Sequence, residues 1–331
     1  MGDLKIMKKF GALVLAFFVF FSLNAATAAF QSENYTLSVK YNDTITPGDA
    51  IFVRLNISIP KNNKKKYDTN QLKATLQLLQ DGKKVLDKAP FYSITKNKKA
   101  QPTEFLCGIP VSLWLTSEGN YSLKVIFSLS EDDTQEFILP STYKNREFNK
   151  EVIELNEANT AIKTDTSPER TAQIEKLNDI LFSYLSNDTF SLKKFTTPTV
   201  SQRYTAYCGD RRVYAYSNGK SSTSLHYGND YGVPTGTEVH ACAEGKVVMA
   251  ENRISTGWSV VVEHLPGLYS LYYHMSELSV KEGDMVSQGQ LLGKSGATGL
   301  ATGPHLHWEV RLNGSAVRPE FFLEDFAFDN L

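Results

Sequence analysis

Gly303-Pro304-His305-Leu306-His307-Trp308-Glu309-Val310-Arg311 decides how the last third of this chain folds. In a strand, residues two apart point to the same face. On that period Leu306, Trp308 and Val310 form an apolar face, and His305, His307, Glu309 and Arg311 line a polar one. Two other segments belong with it: His226-Tyr227-Gly228-Asn229-Asp230, and Leu271-Tyr272-Tyr273-His274-Met275. The chain has 331 residues and six histidines, all between His226 and His307. Such clustering points to a site rather than to background composition.

Histidine and aspartate bind Zn²⁺ through nitrogen and oxygen, and a hydrolytic zinc needs only three protein ligands, leaving a fourth position for water. His226 and Asp230 can offer two ligands from one short segment. Either His305 or His307 can be the third, with the other left beside the metal to handle protons. Zinc lowers the pKa of a bound water and polarises a carbonyl. A nearby imidazole can take a proton from the water and return it to a leaving amine. His274, from a separate strand end, can converge on the same groove.

The set His-x-x-x-Asp, Tyr-x-His and Pro-His-Leu-His resembles the lysostaphin/LytM-type zinc endopeptidases that cut bacterial cell-wall peptides. Gly228 to Thr237, Ala243 to Val248, Gly283 to Gly293, Ser295 to Gly299 and Thr302 to His305 are similar to that family's strands and turns, so the likeness covers roughly residues 203–320. It implies that His226, Asp230 and His307 bind one zinc ion, that His305 is the general base, and that His274 assists. Cys208-Gly209-Asp210-Arg211-Arg212 and Met275 depart from the usual Phe-Gly and Leu, but no ligand position is affected. Members that only bind or activate other enzymes typically lack some ligands; here the set is complete, which favours catalysis. The alternative is a non-catalytic peptidoglycan-binding or amidase-activating module. The Gly283–Gly293 segment also resembles the hairpin of lipoyl or biotinyl carriers, but Lys246-Val247-Val248-Met249 does not supply their modified lysine.

The composition is that of a globular protein: 41% hydrophobic, 21% charged, with a net charge of −1. Nothing in that balance suggests nucleic acid as a partner. Residues 1–29 read as a secretory signal, with Lys5, Lys8 and Lys9, an apolar run from Leu13 to Leu23, and Ala26-Thr27-Ala28 as the cleavage site. No membrane span is expected after cleavage, and the periplasm is the expected destination. Residues 30–140 alternate with period two through Tyr35-Leu37-Val39-Tyr41, Ile51 to Ile59 and Tyr121 to Leu129, with turns at Thr46–Asp49, Asp81-Gly82 and Glu118–Asn120. This predicts an immunoglobulin-like β-sandwich. The basic clusters Lys61–Lys66 and Lys96–Lys99 read as solvated loops, the alternative being contact with an anionic envelope polymer.

Residues 141–200 form the linker. A helix should start at Ser167-Pro168, with serine as cap and proline at the first position. Its stripe is Ala172, Ile174, Leu177, Ile180, Leu181 and Tyr184. Val152 to Leu155 fit a strand or a short helix equally. In some relatives a preceding segment blocks the groove and adds a zinc ligand; Asn159 and Asn187 are the candidates here, though each also reads as an ordinary loop or cap residue. Residues 201–331 then form an antiparallel β peptidase domain with an open groove, and Phe321, Phe322, Phe326 and Phe328 should pack on its surface. The fold expected is therefore mostly β: sandwich, helical linker, peptidase domain. His240 and His264 read as structural. Tyr214 or Tyr216 can serve as an oxyanion donor, and Glu309 can orient a metal ligand. Of the three cysteines, Cys208 and Cys242 can pair and Cys107 reads as a buried small hydrophobe; three reduced thiols are equally compatible. The sum is an exported zinc endopeptidase acting on peptidoglycan peptides.

Overall fold

The computed structural model describes residues 18–21, 26–32, 34–60, 67–95, 101–130, 133–183 and 188–331. The clusters Lys61–Lys66 and Lys96–Lys99, the basic residues before the apolar run, Tyr184 and Asn187 lie outside that set. Among the described residues no helix is long and apolar enough to cross a membrane.

Alternating apolar residues close the first half into two facing antiparallel sheets. One runs Phe18–Phe21, Ala26–Gln31, Thr36–Tyr41, Ala50–Ser58, Glu104–Pro110, Tyr92–Ser93 in spatial order. The other runs Thr134–Leu139, Tyr121–Ser128, Lys73–Gln80, Lys84–Pro90. Leu37, Val39, Val53, Leu55 and Cys107 from the first meet Leu76, Leu78, Leu123, Val125 and Phe127 from the second in one core. The Lys73–Gln80 and Lys84–Pro90 hairpin turns at Asp81-Gly82, both with positive φ, and the Lys83 amide donates back to the Gln80 carbonyl, as in a type I′ turn. Ala26-Thr27-Ala28, read above as a cleavage site, lies in the Ala26–Gln31 strand, with Ala26 and Ala28 buried.

The linker departs from a simple tether. Lys150–Glu154 is a strand, and it pairs in parallel with Arg211–Ala215, which pairs in turn with Ser221–Leu225. Two helices follow. α1 spans Glu157–Thr164, capped by Asn156. α2 spans Pro168–Leu181, with the Ser167 side chain accepting from the Arg170 amide. Only the C-terminal part of the predicted α2 stripe is buried: Ile180 and Leu181, with Leu177 beside them, pack on Val248, Met249, Val261, Tyr269, Leu271 and Tyr273. Ile174 stays exposed.

The C-terminal domain is a ten-stranded antiparallel sheet. Its main path is Tyr204–Ala206, Gly228–Tyr231, Leu306–Leu312, Leu268–Leu278, Gly257–Leu265, Gly245–Arg253, Met285–Val286. The two central pairings place Asp230 opposite His307 and Tyr273 opposite His307. Leu306, Trp308 and Val310 are fully buried on the apolar face, as the period predicts.

The phenylalanine tail does not lie on a domain surface. Phe321, Phe322, Phe326 and Phe328 join one core with Ala50, Phe52 and Leu106 of the sandwich and with Phe195. Phe52 stacks on Phe326 with ring centroids 4.9 Å apart, and Phe195 stacks on Phe322, also at 4.9 Å. Ala50 and Phe52 alternate with Ile51 and Val53, so this strand feeds both cores. Asp49 accepts from Arg146 and from Arg318 beside that seam, and Asn313 Nδ2 donates to the Gly108 carbonyl.

Candidate metal centre

Sheet register assembles the centre. The Gly228–Tyr231 strand carries Asp230 beside His307 on the Leu306–Leu312 strand, and His226 lies just before the first of these strands. His226 Nε2 lies 3.1 Å from Asp230 Oδ1 and 2.9 Å from His307 Nδ1, and His307 Nδ1 lies 2.7 Å from Asp230 Oδ1. All three residues are buried. Among the described residues they form the one group of His, Cys, Asp or Glu side chains able to share a metal ion.

The outward atoms of the trio decide what the inward atoms can do. His226 Nδ1 donates to the Tyr207 carbonyl at 3.0 Å, and His307 Nε2 donates to Glu309 Oε1 at 2.9 Å. Carbonyl and carboxylate oxygens only accept. The neutral rings therefore carry their protons on the outside and turn lone pairs inward. Asp230 Oδ2 accepts from Arg212 Nη2 at 3.0 Å, which leaves Oδ1 facing the same point. With both rings neutral, three lone pairs meet with no donor between them, a donor set of two imidazoles and a carboxylate that fits zinc. The same crowding draws positive charge. Burial works against a charged His307, yet its hydrogen bonds and charge interactions with Asp230 and Glu309 lift its pKa to about 9. Burial likewise opposes charge on Glu309, but Arg311 and His307 hold it down at about 2.

Two further imidazoles stand beside the trio. His305 Nδ1 donates to the Gly303 carbonyl at 2.8 Å and His274 Nδ1 to the Thr298 carbonyl at 2.7 Å. In the neutral ring each Nε2 is then a lone pair. The rings are 4.7 Å apart between centroids, and His305 Nε2 is 3.8 Å from Asp230 Oδ1. Burial, then the neighbouring His305 and His307, push the His274 pKa down to about 3, so it stays neutral. His274 also has φ +60°, a left-handed conformation that non-glycine residues rarely adopt and that clusters at functional sites.

The five residues predicted for the site are therefore brought together, and the two histidines set aside as structural are elsewhere. His264 is fully buried in a network with Glu244, Ser270 and Cys242, and His240 faces Glu238 at 3.4 Å. Glu309 and Arg311 share the histidine face, but as buried support: Arg311 Nε donates to Glu309 Oε2 at 2.6 Å. Tyr216 is turned to Ser222 Oγ at 2.5 Å, and the Tyr214 ring sits under Lys163 Nζ at 4.2 Å. Asn159 Nδ2 donates to the Ala301 carbonyl at 3.1 Å. With Thr160 accepting from the Ser217 amide, α1 connects the two walls of the centre: the Arg211–Leu225 hairpin and the 298–303 loop. Cys107, Cys208 and Cys242 are buried free thiols, with Cys208 and Cys242 in different clusters. Sequence reasoning missed the Tyr207 carbonyl, Arg212 and the Tyr273 ring stacked on His307 at 5.5 Å. A backbone acceptor leaves no side-chain signature, and Arg212 and Tyr273 carry no spacing that marks them.

Residues 224–319 match Peptidase family M23. Over 95 residues the chain is 43% identical to the DD-carboxypeptidase/endopeptidase Mpg of Neisseria meningitidis serogroup B, a match covering 29% of this chain and 22% of that protein. Over 92 residues it is 44% identical to the peptidoglycan DD-endopeptidase ShyA of Vibrio cholerae serotype O1, covering 28% of this chain and 21% of that one. The match thus spans about a fifth of the length of these curated relatives. A putative peptidase M23 from Pseudomonas aeruginosa, 24% identical, shares the fold with a TM-score of 0.51 over 85% of this chain and 96% of its own. The chain carries a peptidase domain of family M23.

Proposed function

We propose that this chain is an exported zinc-dependent endopeptidase that hydrolyses peptide cross-links of bacterial peptidoglycan. The observation that carries the reading is the convergence of three lone pairs beside two imidazoles whose remaining nitrogens are free. Zinc held by His226, Asp230 and His307 would supply Lewis-acid polarisation and a water of lowered pKa. The chain's own residues do the rest. Glu309, Arg212 and the Tyr207 carbonyl fix the ligands' orientation. His305, the more exposed of the imidazole pair, accepts the proton of the attacking water at Nε2 and returns it to the leaving amine. His274, neutral and held by Thr298, adds a second Nε2 at the same point. The peptidoglycan substrate is supported by the likeness to ShyA, a peptidoglycan DD-endopeptidase, and export to the periplasm by the leader-like residues 1–29.

The non-catalytic reading draws on one feature, the bridge that α1 makes between the two walls. Two substitutions separate the roles. His307→Ala should abolish both zinc binding and release of fragments from purified peptidoglycan. His305→Ala should keep zinc and lose turnover by roughly 10²–10⁴-fold, the range for a general base. Loss of zinc in His305→Ala would overturn the division between ligand and base, and a wild-type chain that binds zinc and releases nothing would favour the non-catalytic reading.

A further inference from the structure

Asp230 offers one oxygen to the donor group and rests the other on Arg212. Arg212 is itself held from the far side. Its Nε donates to Glu151 Oε1, while Nη2 donates to Asp230 Oδ2 at 3.0 Å. The two bonds leave neighbouring nitrogens, Nε and Nη2, of one rigid planar guanidinium, so fixing one aims the other. Arg212 is nearly buried, its side chain 11% exposed. Register puts Glu151 directly opposite Arg212 in the parallel pairing of Lys150–Glu154 with Arg211–Ala215. On the opposite face of that strand Val152 is exposed.

We infer that Glu151 is a positioning residue of the metal centre: through Arg212 it holds the Asp230 carboxylate in its ligating orientation. The inference rests on the zinc reading above. Two physical effects favour it. An arginine beside a metal ligand is a cation beside a cation, and Glu151 offsets that charge. Without Glu151 the guanidinium is free to rotate away from Asp230 Oδ2, and an unrestrained carboxylate binds metal less well. The consequence reaches past one residue. Glu151 lies in the linker, far outside residues 224–319 that match the peptidase family. A fragment beginning near residue 200 would shed α1 and Glu151 together. Removing the linker to uncover the groove therefore also loosens a metal ligand.

The test uses the full chain and zinc alone, with affinity read by competition against a chromophoric chelator. Glu151→Ala and Glu151→Gln should each weaken zinc binding roughly 10–100-fold, the usual effect of losing a partner of a metal ligand. Glu151→Asp should recover part of that loss. Glu154→Gln, an exposed position on the same strand, should bind as the wild type does, which separates positioning from mere support by the strand. If Glu151→Ala does not fold, the isosteric Glu151→Gln carries the comparison. Wild-type affinity in the Glu151 variants overturns the inference. A wild-type chain that takes up no zinc overturns the metal reading itself, before any variant is compared.

Discussion

His274 and His264 illustrate how one residue type serves two ends. Both are kept neutral by burial, and both donate from Nδ1 to a backbone carbonyl. His274 sits at φ +60° beside His305, in the centre. His264 sits in the apolar core, where burial pushes its pKa down to about 4 although the Glu244 carbonyl favours the proton. An unfolded histidine titrates near about 6.5. Between the two values the unfolded chain binds more protons than the folded one, so stability falls as pH drops through that window. His264→Gln removes the effect. Thermal midpoints of wild type and variant should therefore converge as pH is lowered from about 6.5 to about 4; a gap that does not change with pH would contradict the argument. At this scale the residues that the fold gathers at the candidate centre were legible, because His226, Asp230, His305 and His307 are chemically specific types at close spacing. Glu151 and Arg212 were not, since a charged residue on an ordinary strand reads as a solvated one until its partner is known.

Elements were legible where a period ran long. The sandwich strands, the Leu306–Leu312 strand and the start of α2 at Ser167-Pro168 all follow from alternation or capping. α1 was not, because Glu157–Thr164 has no apolar stripe and is placed by side-chain hydrogen bonds to Ala301 and Ser217. The tail from Phe321 was read as surface packing because nothing local tells an aromatic run which body it will join. It enters a core shared by both halves, where Phe322 touches Phe52, Phe195, Phe321 and Phe326. Phe322→Ala should cost about 3–5 kcal/mol, as buried Phe-to-Ala changes do. Calorimetry should find one transition moved down as a unit. A variant in which the sandwich melts at its old temperature while only the peptidase half shifts would contradict the shared core.

For the whole molecule, the sandwich is more than a spacer on a string. Phe52 feeds the peptidase core, Asp49 binds Arg146 and Arg318 at the seam, and the linker strand at 150–154 extends the hairpin that supports Asp230. The metal centre thus depends on three stretches of chain: the M23 domain, the hairpin before it, and the linker. The central claim is that this centre cuts peptidoglycan through a bound zinc. The most direct measurement is fragment release from purified peptidoglycan by the full chain, with new amino termini identified by mass spectrometry. It is made before chelation, after chelation, and after zinc is restored. The account predicts release, loss and recovery in step with one zinc per chain. Release that persists undiminished in the chelated protein would contradict it.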